Sequence, residues 1–264
     1  TYVVSNTVSF SQGSSMMLGA VLGYTFAVTL GWPMPFAVIL ALALCGVFGL
    51  AVERFLVRPF ADRGSNAWLM ATIAGGIVLD NVVLFTFGKE PRSFPSPLAT
   101  DAINVMGVGA YPLQLIIPVV GIVAAAIFSF VLRNTKYGKA MLAVVQNAEA
   151  ARLMGIDTRF VIAGAFALST MLAGVAGLLI APLFNVSAGM GLVFGIKAFA
   201  AAILGGITSA WGVVIAGLLY DLVEALTTAF LGSTYTQIVA FSMIIAALFF
   251  MPNGLLGSAG IKKV

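Results

Sequence analysis

Long apolar runs separated by short polar intervals set the layout of this 264-residue chain. Eight runs stand out: 14–30, 35–57, 67–87, 112–132, 160–181, 191–208, 211–230 and 235–251. Most match the roughly 20 apolar residues that a helix needs to cross a hydrocarbon core about 30 Å thick. Residues 1–13 (TYVVSNTVSFSQG) are uncharged but rich in Ser, Thr and Asn. They read as the tail of a helix that starts before Thr1 and breaks at Ser9–Gly13. The first run carries Gly19-x-x-x-Gly23, a small-residue face for close helix packing. Gly31–Trp32–Pro33 closes it with a tight turn and an interfacial Trp. Residues 88–111, with Pro91, Pro95 and Pro97, predict a loop holding a short strand or hairpin. The run 191–208 is short and Gly-rich, which predicts a broken crossing, either full or re-entrant. The nonamer Ser15–Gly23 also matches Ser169–Gly177 at five of nine positions, a trace of internal duplication or of a small alphabet.

Composition turns this pattern into a class. The chain is 61% hydrophobic and 8% charged, against about 25% charged in soluble domains, so its solvent is a bilayer. It has no His and a single Cys, Cys45, inside an apolar run. A disulfide framework, a Cys/His zinc site and a Ser–His or Cys–His nucleophile are all excluded. No G-x-x-x-x-G-K-[ST] phosphate loop is present either, so any use of ATP must come from another chain. The net charge of +4 is too thinly spread to signal nucleic acid.

Where the few charges fall predicts the orientation. Three basic residues lie in 53–63 (Arg54, Arg58, Arg63), five of the thirteen lie in 133–159, and two (Lys262, Lys263) close the chain. The 88–111 interval holds only Lys89 and Arg92, offset by Glu90 and Asp101. Positive charge stays cytoplasmic, so 133–159 is predicted inside and 88–111 outside. The expected fold is an all-α polytopic membrane protein, one transmembrane domain over 1–264. It has about eight membrane helices, some of them broken.

Two features invite chemistry. The interval Arg133–Arg159 is the longest polar stretch. Within it Met141, Val144, Val145, Ala148, Ala151, Leu153 and Met154 recur near helical spacing, opposite Gln146, Asn147, Glu149 and Arg152. That pattern predicts a short amphipathic helix stopped at Gly155, lying at the membrane surface or docked on a partner; the alternative is a solvated loop. The second feature is charge at membrane depth, which costs roughly 2.5–3.5 kcal/mol per residue at a helix centre. Asp80, Lys197, Asp221 and Glu224 are the four such residues. Asp221 and Glu224 share a helix face, as a proton relay, a cation site or a salt bridge to Lys197. Asp80–Asn81 is either a pore-facing polar pair or a helix–helix hydrogen bond. A proton- or ion-coupled secondary carrier using Asp80, Asp221 and Glu224 is one function compatible with these residues.

At the level of motifs, Thr135–Ile156 (TKYGKAMLAVVQNAEAARLMGI) resembles the cytoplasmic coupling loop of the branched-chain amino acid ABC transporter permeases. Val8–Gly13 (VSFSQG), Glu53-Arg54 with Arg58-Pro59, Thr72 to Gly88, Gly195–Gly206 (GIKAFAAAILGG), Glu224–Leu226 and Pro252–Leu255 are similar to the same family, closer to its H-type than its M-type subunit. The resemblance implies a multi-pass permease of a bacterial inner membrane, taking up branched-chain or related hydrophobic amino acids by ATP-driven alternating access. Its implied partners are two cytoplasmic ABC ATPase subunits, a second permease, homologous or identical, and an extracytoplasmic solute-binding protein. The chain itself would be no enzyme and would carry no cofactor or metal, because ATP is bound by the ATPases. Implied coupling residues are Gln146, Asn147, Glu149, Ala150, Arg152, Leu153 and Gly155. Substrate-path candidates are Ser9, Ser11, Gln12, Asp80, Asn81, Lys197 and Glu224. Two departures, Asp80 in place of a more usual neutral residue and Ser11–Gln12 in place of Ala–His, leave the solute open.

Overall fold

The computed structural model describes residues 11–61, 67–96, 99, 103–105, 108–207, 209–251 and 254–256. Helix α1 (Gln12–Tyr24) runs on into a π-helical turn, Thr25–Thr29. Gly31, at φ 66°, then reverses the chain into α2 (Met34–Ala51). A second π-helical turn (Val52–Val57) follows, and α3 (Arg58–Ala61) continues it. Next come α4 (Trp68–Phe87), a hairpin of β1 (Ile103–Val105) and β2 (Val108–Ala110), and α5 (Pro112–Asn134). The polar interval folds as α6 (Lys136–Gln146) and α7 (Ala148–Leu153). The remaining helices are α8 (Thr158–Ile180), α9 (Met190–Gly205), α10 (Ala210–Leu231) and α11 (Thr236–Phe250).

Among the described residues, five helical segments are long and apolar enough to cross a membrane: Met34–Ala61, Trp68–Phe87, Pro112–Asn134, Thr158–Ile180 and Ala210–Leu231. Shorter apolar helices accompany them, Met190–Gly205 among these. The protein is an all-α, multi-pass membrane protein, and the expected hairpin in 88–111 is its small β element. The broken crossing expected at 191–208 is not seen. Helix α9 is continuous for 16 residues and ends only at Gly205, before Gly206 at φ 88°. Glycine inside a helix costs only about 1 kcal/mol relative to Ala, and Gly191 and Gly195 lie against the backbone of Gly13, so these glycines serve packing. The interruptions of helical geometry lie instead in the two π-turns.

The structure comprises two compact units, each described by itself. The first holds residues up to 117 together with 134–195. Here α1 runs parallel to α8: Gly19 meets Gly174, Gly23 meets Leu178, and Gln12 bonds Ser169. The two stretches with matching sequence, 15–23 and 169–177, are thus packed side by side. A Cβ on Gly19 or Gly177 would fall on the facing backbone. In lipid this close approach matters, because apolar burial drives no association there and dispersion contacts must. Helix α2 crosses α8 in the opposite sense through Ala37, Ala41, Cys45 and Gly49, a buried small-residue stripe at four-residue spacing.

At the Phe87 end of α4, Arg92 ties the connections together. Its guanidinium donates to the Phe87 carbonyl at 2.7 Å and stacks 4.4 Å over the Phe87 ring. Its backbone pairs both ways with Val186, and Phe94 is buried beside Tyr24. The carboxyl ends of α4 and α8 therefore share one side of the unit.

The second unit holds residues 118–133 and those from 196 onward. Its core is Ala200, Leu204, Ala216 and Tyr220, with Met243 against it. Gly205 and Gly212 touch backbone to backbone, and Gly254, at φ 74°, abuts Gly206. The backbone amides of Leu255 and Leu256 donate to the otherwise open carbonyls of Leu204 and Gly205, closing the end of α9.

Candidate functional site

The polar interval is built by three consecutive caps. Thr135 accepts the Gly138 amide at 3.0 Å and starts α6. Asn147, extended at φ −158°, accepts the amides of Glu149 and Ala150, both at 3.0 Å, and starts α7. Asp157 accepts those of Arg159 and Phe160 and starts α8. The single amphipathic helix expected across Met141–Met154 is therefore two, split at Asn147. An Asn side chain that satisfies two orphan amides competes with continuing the helix through its own residue. The predicted stop holds: Gly155 sits at φ 82°, and the Ile156 amide reaches back to the Ala151 carbonyl.

Helix α7 hangs on the main body by two attachments. Ala151 is buried, and Arg152 Nε donates to Thr158 Oγ1 at 2.8 Å, the Thr158 side being buried at the first turn of α8. Everything else on the turn faces outward. Leu153 is 89% exposed and Met154 83% exposed, flanked by exposed Gln146, Glu149 and Ala150. Two bare apolar side chains on this capped helical turn form an exposed knob.

A second cluster surrounds the start of α1, level with the middle of α8. Gln12 Nε2 donates to the Ser169 carbonyl at 2.8 Å and to its Oγ at 2.7 Å, while Gln12 Oε1 is buried with no partner. Ser15 Oγ donates to the Ser11 carbonyl, and both residues are fully buried. On the other side of α1, Asp80 of α4 lies beside Ser14, and its carboxylate Oδ1 is buried and unpartnered. Gly76 on α4 makes room for Ser11 and Ser14. Asn81 does not join: it is exposed and its amide turns back on the Ile77 carbonyl at 2.8 Å. Of the Asp80–Asn81 pair, Asp80 alone lies beside α1, next to Ser14. Ser9 lies outside the described residues.

The second unit carries its own charged group. Lys197 Nζ donates to Glu224 Oε1, joining α9 to α10, and Glu224 Oε2 is buried without a partner. Asp221, one turn earlier, is exposed; the direct salt bridge is made by Glu224, with Asp221 within electrostatic reach of both groups. Of the three roles open to Asp221 and Glu224, the salt bridge is formed, through Glu224.

One ion pair went unread as a structural feature from the sequence. Glu53 is only 4% exposed. It receives Arg58 Nε on Oε1 at 3.0 Å and Nη2 on Oε2 at 2.9 Å, within the second π-turn. The two charges had looked like ordinary loop residues closing an apolar run. Their spacing of five, which an α-helix does not bring face to face, was the available signal.

The family described as "Branched-chain amino acid transport system / permease component" matches residues 1–248. The chain belongs to this family. It is 29% identical, over all of its length and 90% of the relative's, to the high-affinity branched-chain amino acid transport system permease protein LivH of Escherichia coli K12. It is 30% identical, with the same coverage, to the permease protein BraD of Pseudomonas aeruginosa. The probable branched-chain amino acid transport permease LivH of Methanocaldococcus jannaschii is 25% identical over 97% of this chain and 85% of its own. No solved structure matches the chain.

The protein is thus a transport permease subunit of the branched-chain amino acid permease family, which bears out the resemblance carried by Thr135–Ile156. In this permease the structure gathers Gln146, Asn147, Glu149, Ala150, Arg152, Leu153 and Gly155 on one exposed turn. It gathers Ser11, Gln12 and Asp80 around one helix start, and Lys197 with Glu224 in the second unit. Sequence reasoning missed Ser14 and Ser169, and it read Met154 only as part of the apolar pattern. Ser169 sat in the duplicated nonamer.

Proposed function

We propose that this permease subunit works in an ATP-driven importer for branched-chain or related hydrophobic amino acids, cycling by alternating access. Its partners in this reading are two cytoplasmic ABC ATPases, a second permease in the same cytoplasmic membrane and an extracytoplasmic solute-binding protein. The names of LivH and BraD give that solute class for those relatives. The observation that carries the reading here is the α7 turn. A capped knob with Leu153 and Met154 bare, attached to α8 through Arg152 and Thr158, suits insertion into a groove of a partner that pushes on it. The permease binds no nucleotide and needs no cofactor in this scheme. ATP acts by shifting the population of inward- and outward-facing states, not by chemistry on the solute.

The half-satisfied polar groups support a place on the solute path for Ser11, Gln12 and Asp80, and separately for Lys197 and Glu224. A buried oxygen without a partner is costly and is relieved when a polar solute passes. Charge reversal at both Glu149 and Arg152 should release the ATPases on mild-detergent purification and abolish uptake. If association and uptake both survive, the coupling role is wrong. Uptake that outlasts ATP depletion and collapses with an uncoupler would instead favour a proton-coupled carrier.

A further inference from the structure

The second π-turn raises a geometric question that the transport reading leaves unanswered. In an α-helix of 3.6 residues per turn, positions five apart point about 140° away from each other. In a π-helix the i→i+5 bond stacks them. Glu53 and Arg58 are five apart, and their bidentate pair lies within and just beyond Val52–Val57. The pair is therefore tied to the π register: a return to α geometry in this turn swings the two side chains apart. A π-turn carries one residue more than the α path between the same points. Its conversion rotates one side of the helix against the other by about 100° and shifts it about 1.5 Å.

The location gives that conversion consequences. Val52 and Val57 are buried against Phe166, with Ile162 beside them, both on the first turns of α8. Those turns begin at Thr158, the residue that Arg152 of the α7 knob grips. On its other side the π-turn lays Leu56 on Gly75 of α4. The next residue, Gly76, faces Ser11 and Ser14, and Asp80 lies beside Ser14. Contiguous packing thus leads from the exposed knob through the π-turn to the polar cluster at the start of α1.

We propose that Glu53 and Arg58 form a latch that holds the end of the second span in its π register, and that the transport cycle opens and recloses it. The latch rests on the importer reading, and it makes Glu53 and Arg58 positioning residues for transport rather than solute ligands. The π and α registers are the two discrete states that a claim of coupling requires.

The test uses the intact transporter, permease with its partner subunits in lipid nanodiscs and proteoliposomes. Amide hydrogen exchange across residues 48–60 is compared between the nucleotide-free complex and one trapped with ATP and vanadate. A latch that opens changes exchange there by roughly tenfold or more, as local opening does. ATP-dependent uptake with no change at 48–60 overturns the latch alone. Uptake independent of ATP overturns the importer reading and the latch with it. Two variants add a functional readout, solute moved per ATP hydrolysed, which a loss of stability alone does not alter. Glu53→Gln should lower that ratio roughly tenfold, in the range of typical coupling energies. Deleting the exposed Phe55 brings the two charges to a spacing of four, where an α-helix pairs them. The ion pair then survives without the π register, and transport should fail in the assembled complex. Wild-type transport by the deletion variant overturns the proposal, even if Glu53→Gln does not assemble.

Discussion

Gly19 and Gly174 meet where a side chain on either would fall on the other helix or, for Gly174, on Cys45. Gly164, on the same α8, is exposed with nothing near its Cβ position. These two environments predict opposite outcomes for the same kind of change. Gly174→Val should lower the melting temperature of the detergent-purified protein, by an overpacking cost of about 1–3 kcal/mol or more. Gly164→Ala should raise it slightly, by up to about 1 kcal/mol of helix propensity. The Lys197–Glu224 pair makes a second residue-level prediction. Lys197→Met leaves the Glu224 carboxylate stranded among apolar side chains. Breaking a fully buried pair costs roughly 3–5 kcal/mol. The two side chains here remain 35% and 24% exposed, so about 1–3 kcal/mol is expected. Adding Glu224→Gln should recover most of that loss in thermal unfolding, because the stranded charge is then gone. If the double variant is no better than Lys197→Met, the pair is not what holds α9 to α10.

At the scale of elements, Asn147 decides the shape of the exposed α6–α7 turn. Its side chain caps α7 and its extended backbone ends α6, so both helices depend on one residue. Asn147→Ala removes a cap worth about 1 kcal/mol and allows α6 to run on through 147–153, which re-aims Leu153 and Met154. ATPase co-purification should weaken several-fold, while Asn147→Asp, which keeps an acceptor, should retain it. Equal retention by both variants would show that the split is incidental. The same residue shows what was legible beforehand. Apolar periodicity from Met141 to Met154 revealed a helix and Gly155 revealed its end, because both are local signals. The split did not show, because Asn fits a polar helix face as well as a cap, and only the amides it satisfies distinguish the two. The π-turns hid for a related reason. Val52–Val57 has the composition of any apolar helix end, and its one extra residue shows only through the Glu53–Arg58 pairing. Likewise Gly191 and Gly195 read as helix breakers until Gly13 appeared against them. A partner far away in sequence decides what such a glycine does.

For the whole molecule, the number and order of apolar segments were readable because a bilayer demands long uncharged runs. Which helices touch was not readable, since Gly, Ala and Ser stripes occur on nearly all of them. The one long-range hint, the likeness of 15–23 to 169–177, proved to mark two parallel neighbours, α1 and α8. Their shared direction supports a physical check on orientation. Helices α1, α4 and α8 run the same way, and the connections after α4 and α8 are clasped together by Arg92 and Val186. The stretches that lead into α4 and α8, 53–63 and 133–159, carry eight of the thirteen basic residues, whereas 88–111 carries only Lys89 and Arg92. Positive charge resists translocation, which predicts that Arg92 and its clasp face outward and that the α7 turn faces the cytoplasm. Cys45 is fully buried, and a Cys45→Ala background leaves no native thiol to label. In that background a thiol placed at exposed Glu90 should react with a membrane-impermeant maleimide in intact cells. One placed at Met154 should react only after permeabilisation. The reverse pattern would put the knob on the side where no ATP is available, and the importer mechanism would fail with it.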